Sequence, residues 1–470
     1  MHTPLFTLFL VTFASALSAQ TPSPHDRLAR EIYAELVNID TSSKAGTTRA
    51  AEAMAKRLLD AGYPAADVQV LGAEPNQHNL VARLRGTGAK KPILLLAHLD
   101  VVDARKEDWT VDPFTFQEKD GYFYGRGTTD DKAQAAIWVA TLIRLKQEAF
   151  TPERDLIVAL TADEEGWGPA NGVDWLLKNH RALIDAEYCI NEGGGGQLQN
   201  GRRVLNEVQA AEKHYANFRL EATDKGGHSS LPVKENAIYR LAAALGKLAS
   251  YDFPVRLTEV TMAFFQRTAA IVGGQEGADM KAVAASAKPD PSIVERLAKT
   301  ALYNAVLRTT CVATLLEGGH AENALPQRAR ATVNCRVIPG EAPADVRRTL
   351  ERVIADPAVT ITAVTDYPTS PVSPLRPDLM KLVETITTDL WPGVPVVPVM
   401  STGGTDGVFL RIAGIPTYGI SGLFKDIEDM RAHGRDERLG VKAFDEGREF
   451  LYRLAKATAR TGAPAAKGER

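Results

Sequence analysis

Ile93-Leu94-Leu95-Leu96-Ala97 runs straight into His98-Leu99-Asp100. Five apolar residues in succession leave no wet face, so the run reads as a strand buried on both sides, the kind found in a largely parallel sheet covered by helices. Leu156-Ile157-Val158-Ala159-Leu160 is a second such run. Between them, residues 133–149 place Ile137, Ala140, Leu142, Ile143 and Leu145 on one side of a helix. The β-α-β rhythm returns near the C-terminus, where residues 405–412 and 444–457 read as helices around a short strand at 417–420. Two more helices are expected at 26–38, from Leu28, Ile32, Leu36 and Val37, and at 48–60.

The middle of the chain differs. Residues 214–222 alternate, 236–248 have helical spacing, and 311–316 and 331–338 resemble two strands joined by a connection. The segment 214–367 is therefore read as an α+β insertion, a lid, that interrupts an α/β catalytic domain formed by 22–213 and 368–470. The Pro-rich stretch from Tyr367 to Pro377 is the expected return linker. Residues 271–291, with Gly273, Gly274, Gly277 and several Ala, give no reading.

The 470 residues carry 55 Lys and Arg against 58 Asp and Glu, a formal net charge of -3. No global basic field attracts nucleic acid or an anionic membrane, so neither is an expected partner. Length and an ordinary 44% hydrophobic content allow two or three domains with their own cores. Residues 1–19 contain no charged side chain and carry the apolar run 5–13 followed by small residues. They read as a cleavable secretory signal, too short to span a bilayer, so an exported protein, periplasmic or secreted, is expected. Three cysteines, Cys189, Cys311 and Cys335, are too few for a disulfide scaffold.

His98-Leu99-Asp100 places an imidazole and a carboxylate at the carboxyl end of a buried strand, where sites form in open α/β sheets. Such a His can ligate a metal while the Asp holds its other ring nitrogen. Alone, a structural histidine is the commoner case. Gly125-Arg126-Gly127-Thr128-Thr129-Asp130-Asp131-Lys132 delivers two adjacent carboxylates to a helix start. That is more than a cap requires, and a phosphate there would be repelled. Thr161-Ala162-Asp163-Glu164-Glu165-Gly166 crowds three acids at a strand end, which is costly unless a cation or proton compensates them; the plainer alternative is a solvated acidic loop. Asn191-Glu192-Gly193-Gly194-Gly195-Gly196 is by itself a flexible turn with an incidental Glu, and His433 in Arg431-Ala432-His433-Gly434-Arg435-Asp436-Glu437 a surface loop histidine. Taken together, His98, Asp130, Glu165, Glu192 and His433 suit a pair of divalent metals bridged by one carboxylate, a donor set that Zn²⁺ accepts.

That ordered set, with Ser401-Thr402-Gly403-Gly404-Thr405-Asp406 before His433, resembles the M20 (M20/M25/M40) metallopeptidases, the co-catalytic zinc group that includes aminoacylases, dipeptidases and carboxypeptidases. The stretch from Leu307-Arg308-Thr309-Thr310 through Asn323-Ala324-Leu325-Pro326 to Asn334-Cys335-Arg336-Val337-Ile338-Pro339-Gly340 looks most like the carboxypeptidase S branch. The resemblance implies a zinc-peptidase-like domain with a mixed, mainly parallel sheet and a lid that can pair two subunits as a homodimer. It makes His98 and Glu192 ligands of one zinc, Glu165 and His433 ligands of the other, and Asp130 the bridge. Asp100 becomes the partner of His98, and Glu164 the general base and acid. His228, in Gly227-His228-Ser229-Ser230, would help stabilise the oxyanion, often in the partner subunit's site. Asn323 and Arg336 would hold the substrate carboxylate, with Gly404 and Thr405 beside it. For Arg336 the plainer alternative is a strand arginine paired with an acidic neighbour. The peptide between Asp130 and Asp131 would be cis. Ala133 stands where the family usually has Gly, past the ligand.

The implied reaction is hydrolysis of an amide bond next to a residue with a free carboxylate, in a small peptide or, alternatively, an N-acyl amino acid. A serine hydrolase is disfavoured because no Gly-x-Ser-x-Gly elbow occurs, and no His-Glu-x-x-His helix is present either. A lapsed binding protein would be expected to have lost ligands or the base, and none is missing. Cys311 and Cys335 lie on the two strands thought to pair in the lid. Two buried free thiols are the preferred reading, because adjacent-strand bridges demand unusual geometry; export would permit a bridge.

Overall fold

The computed structural model describes residues 23–460 apart from 167, 169 and 365–368. The expected leader, residues 1–19, and the first two residues of the expected linker lie outside these. Ten strands form one mixed sheet, in the order Val68–Glu74, Gln77–Leu84, Leu156–Thr161, Ile93–His98, Tyr188–Asn191, Thr417–Gly419, Arg202–Glu212, Gly196–Gln199 and Phe424–Asp426, with Val396–Ser401 paired to Arg202–Glu212. At its centre the four strands from Leu156–Thr161 to Thr417–Gly419 run parallel.

Strands Ile93–His98 and Leu156–Thr161 are buried at every position. Alternate side chains explain why both faces must be apolar. Ile93, Leu95 and Ala97 enter the large core with the helices Pro24–Asn38, Lys132–Gln147 and Val441–Thr458, whereas Leu94 and Leu96 enter a second core with Gly172–Asn179 and Gly407–Ile412. The Trp138 indole N–H donates to the Leu96 carbonyl at 3.0 Å, fixing the Lys132–Gln147 helix against the strand. From the first helix, the Tyr33 hydroxyl donates to the Thr128 carbonyl at 2.6 Å, two residues before Asp130.

A second, antiparallel sheet has the order Thr310–Gly318, Arg328–Val337, His214–Thr223, Val359–Ala363, with helices Ala237–Ala249 and Pro343–Ile354 on one face and a core of its own. Between the first lid helix and the edge strand come four helices, Glu259–Val272, Gly274–Ala284, Pro291–Ala298 and Ala301–Leu307. They pack Phe264, Phe265 and Ala269 on Leu205, Val397 and Val399 of the large sheet. Residues 271–291 gave no periodic reading because one helix follows another across Gly273 and Gly274, both at positive φ, with no polar spacer between them.

One expectation is corrected. Cys311 and Cys335 are directly opposite in the ladder, with Cα atoms 4.1 Å apart, and form a disulfide rather than two free thiols. Register decides it, since facing side chains on neighbouring strands need no backbone movement to meet. Cys189 is buried and free. Protein prepared without reductant and then unfolded should show one titratable thiol. A Cys311→Ala/Cys335→Ala variant should lose about 3 kcal/mol of stability in denaturant titration, the contribution expected of a bridge across a loop this long.

Candidate metal centre

Three neighbouring parallel strands end at one level, and each delivers an acid or an imidazole there. His98 closes its strand and lies opposite Thr161 in the ladder, so Glu164 and Glu165 follow on one side and Glu192 follows Tyr188–Asn191 on the other. Asp130 arrives from the loop before Lys132–Gln147, across a cis Asp130–Asp131 peptide, and His433 from the segment between Phe424–Asp426 and Arg438–Gly440.

These side chains converge. His98 Nε2 is 2.9 Å from Asp130 Oδ1 and 3.9 Å from Glu192 Oε1. His433 Nε2 is 3.1 Å from Asp130 Oδ2 and 2.9 Å from Glu165 Oε1. Asp130 thus stands between two His-carboxylate pairs, one oxygen to each. Glu165 Oε1 is buried with no hydrogen-bond partner in spite of its closeness to His433, so the two atoms meet without the alignment of a hydrogen bond. An N/O donor set with an orphaned buried oxygen fits a divalent cation. Distance alone would also admit Glu164, whose oxygen lies within 4.8 Å of donor atoms of His98 and Glu192.

Burial of so many acids is electrostatically costly. It pushes the carboxyls of Glu164 and Glu192 well above the usual range, with Glu192 adding to the effect on Glu164. It also lifts Asp131 to about 8. Positive charge at this point would offset the deficit.

The carboxylate of Asp100 does not make the closest contact to His98. Nδ1 of His98 is 2.9 Å from the Asp100 main-chain oxygen and 3.6 Å from Oδ1. The carboxylate instead accepts the main-chain N–H groups of Glu164 at 3.2 Å and Glu165 at 3.0 Å, which fixes the acidic turn.

A cavity of about 460 Å³ opens over the cluster, bounded by Asp130, Glu164, Glu165, Glu192 and His433 below and by Tyr215 and Arg336 of the lid above. Arg336 is half-buried, with its guanidinium carbon 4.9 Å from the centre of the Tyr215 ring, and has no carboxylate partner among the described residues. The alternative of a strand arginine paired to an acid is not what the fold builds. Gly403 and Gly404 line the same cavity, but Thr405 is buried below it and donates to Glu212 Oε2 at 2.9 Å. His228 and Asn323 are not brought there. Both are exposed on a small ribbon, Gly227–His228 against Ala324–Leu325, where His228 contacts Ser230 Oγ and the Asn323 carbonyl accepts from Ser229.

Sequence reading gave no role to Asp406 or Arg411. Asp406 is buried and accepts from Thr161 Oγ1 at 3.0 Å and Asn171 Nδ2 at 2.6 Å, tying the strand end to the glycine loop; burial raises it to about 7. Arg411 forms a buried ion pair with Glu212. Asp406 was visible beside Thr405, whereas nothing local marks Arg411 as interior.

The model of peptidase family M20/M25/M40 matches residues 94–457. The chain belongs to this family. It is 30% identical over 377 residues to the Homo sapiens N-fatty-acyl-amino acid synthase/hydrolase PM20D1, covering 77% of this chain and 73% of that protein. It is 31% identical over 284 residues to the probable carboxypeptidase S-like 2 of Dictyostelium discoideum, covering 59% of this chain and 54% of the relative. Its fold is similar to that of the M20 family metallo-carboxypeptidase Sso-CP2 of Sulfolobus solfataricus, with a TM-score of 0.68, 18% identity, and coverage of 92% of this chain and 99% of the other. This M20 protein is a hydrolytic enzyme, a metallopeptidase or amidohydrolase, with a candidate acidic and histidine metal site.

Proton release follows from the geometry. Burial alone would lower His98, yet the carboxylates of Asp100 and Asp130 carry it well above its ordinary value. Contacts to Asp130 and Glu165 raise His433 to about 10. Both histidines are then imidazolium in chelated protein near neutrality, and a ligand must be neutral. Zinc addition to chelated M20 protein at pH 7.5 should release about two or more protons per chain, read with a pH indicator in weak buffer. Because folding raises the His433 pKa, its stabilising contribution in chelated protein is complete below 6.5 and is lost as pH rises towards 10. His433→Ala should flatten that loss.

Proposed function

We propose that this chain is an exported dinuclear zinc hydrolase that cleaves the amide bond before a residue bearing a free carboxylate, as a carboxypeptidase or dipeptidase. The observation that carries the reading is the pairing of Asp130 with both imidazoles beneath an unpaired lid arginine. His98 and Glu192 would hold one zinc, Glu165 and His433 the other, and Asp130 both. Such a pair of ions polarises a carbonyl and lowers the pKa of water.

The chain supplies the rest. Glu164 lines the cavity, makes no ion pair among the described residues, and has a carboxyl raised by burial, so it is suited to take a proton from water and pass it to the leaving nitrogen. Arg336 can grip the substrate carboxylate through two parallel charge-assisted hydrogen bonds, and its place on the lid would couple that grip to closure. Asn323 and His228 stand away from this cavity, which favours a role in a second subunit. The outer edge of Thr310–Gly318 is unpaired and exposes Val312, Leu315 and Leu316, a surface that a homodimer through the lid would cover. Export is supported by the composition of residues 1–19 and by the Cys311–Cys335 bridge, a modification of oxidising compartments.

A second reading, an N-acyl-amino-acid deacylase using the same residues, is favoured by the identity to a human protein named for N-fatty-acyl amino acids. Both substrates present an amide next to a free carboxylate. Zinc-loaded protein offered dipeptides and N-acyl amino acids, each as free acid and as amide, should cleave only the free acids of one class or both. Glu164→Gln should keep its metal and lose at least about 100-fold in kcat. Arg336→Lys should lose at least about 10-fold in kcat/KM. Equal cleavage of amides and acids would remove the carboxylate-directed reading, and a fully active Glu164→Gln would remove the base.

A further inference from the structure

The loop that carries Asp130 and the segment that carries His433 are far apart in sequence; they leave the paired strands Tyr122–Tyr124 and Arg438–Gly440, and beyond that pair one carboxylate gathers them. Glu437 is fully buried. Its Oε2 accepts from Arg126 Nη1 at 2.7 Å and from the Gly127 N–H at 3.1 Å. Its Oε1 accepts from the Thr129 N–H at 2.7 Å and the Thr129 hydroxyl at 2.8 Å. The Glu437 carbonyl accepts from the Gly125 N–H at 3.1 Å, and Arg126 Nη2 reaches the His433 carbonyl at 3.3 Å. A carboxylate offers about four acceptor positions; here each is filled, by donors from the five residues before Asp130. Arg126 is itself buried and neutralises the charge of Glu437.

The two halves of the metal cluster depend on this clamp unequally. His98 closes a buried strand and Glu192 follows the neighbouring one, so the sheet holds them. His433 has a side chain 54% exposed and sits at φ 61°, in a segment where Asp436 is also left-handed. It has no regular element to hold it. The ladder that pairs Arg438–Gly440 with Tyr122–Tyr124 anchors both segments at their far ends, and Glu437 carries that anchorage onward to the residues next to Asp130.

We propose that Glu437, through Arg126 and residues 127–129, is a positioning residue that sets the spacing between Asp130 and His433 and so governs the second metal position, that of His433 and Glu165, more than the first, where the sheet holds His98 and Glu192. The inference rests on the reading of Asp130 as the bridge. A role in general stability would weaken both positions equally; a positioning role weakens the second more than the first.

Equilibrium dialysis of chelated protein against buffered zinc reads the difference. Wild type should take up two ions. Glu437→Gln, which puts an amide nitrogen where donors converge, should weaken the second affinity at least about 10-fold and the first by clearly less. If that variant does not fold, Thr129→Val removes only the 2.8 Å hydroxyl bond and should weaken the second position more than the first, by a smaller factor. Unchanged affinities, or equal loss at both positions, in the variant that folds overturn the inference and leave the dinuclear reading standing. Wild type that takes up fewer than two ions overturns both.

Discussion

Asp130 places one carboxylate oxygen beside His98 and the other beside His433, and the catalytic domain is largely the means of bringing two imidazoles to opposite sides of that group. The sheet does half of the work without special devices. Parallel neighbours in register end together, so His98, the Glu164-Glu165 turn and Glu192 reach one level once the apolar runs have paired. The other half needs loops, because a chain leaving a parallel strand must still bring Asp130 and His433 back over the strand ends. The result is a buried group of acids whose protonation is favoured by burial and by one another, an arrangement that gains from positive charge placed among them.

Helices 259–307 share an apolar core with the large sheet, whereas the antiparallel sheet of the lid, with its two covering helices, meets this domain through polar groups. That sheet and those two helices form one cluster, and the central sheet another. At the joint, buried Lys213 donates to the carbonyls of Ala305 and Arg308 and to Thr310 Oγ1, and the Ser370 N–H donates to His214 Nε2. Directed bonds of this kind define an angle without interdigitated side chains, and separate cores are the condition for bodies that move relative to one another. Arg336 belongs to the lid and the metal cluster to the sheet, so the cavity is shaped by the joint as much as by either domain.

What the sequence disclosed was the part fixed by short-range pattern. Two five-residue apolar runs announced the central strands, and acids and histidines just beyond their ends announced the cluster. The strand Arg202–Glu212 was missed because it is polar by composition, and the partner that admits one of its polar groups to the interior is distant in sequence, Asn206 donating to Thr387. The helices of 259–307 were missed although each keeps an exposed face, because Ala, Gly and Thr make up much of 259–284 and blur the apolar-polar contrast on which helical periodicity depends. Cys311 and Cys335 required a register, Arg411 and Glu437 required partners far along the chain, and Asp100 required atoms. Its identity marked it as a partner of His98, yet its main-chain oxygen makes the nearer contact, and its carboxylate holds the turn.

That turn accounts for the different surroundings of two adjacent glutamates. Asp100 grips the N–H groups of both Glu164 and Glu165, which fixes their backbone and lets the side chains diverge. Glu165 meets His433, with Oε1 2.9 Å from Nε2. Glu164 lies close enough to His98 and Glu192 to be counted with them, but it makes no ion pair among the described residues, and burial and the Glu192 carboxylate favour its protonated form. A group that must accept a proton and later release it cannot be locked in one state. Of the two, Glu164 borders the cavity without an imidazole ion pair among the described residues, which is the placement the proposed base needs.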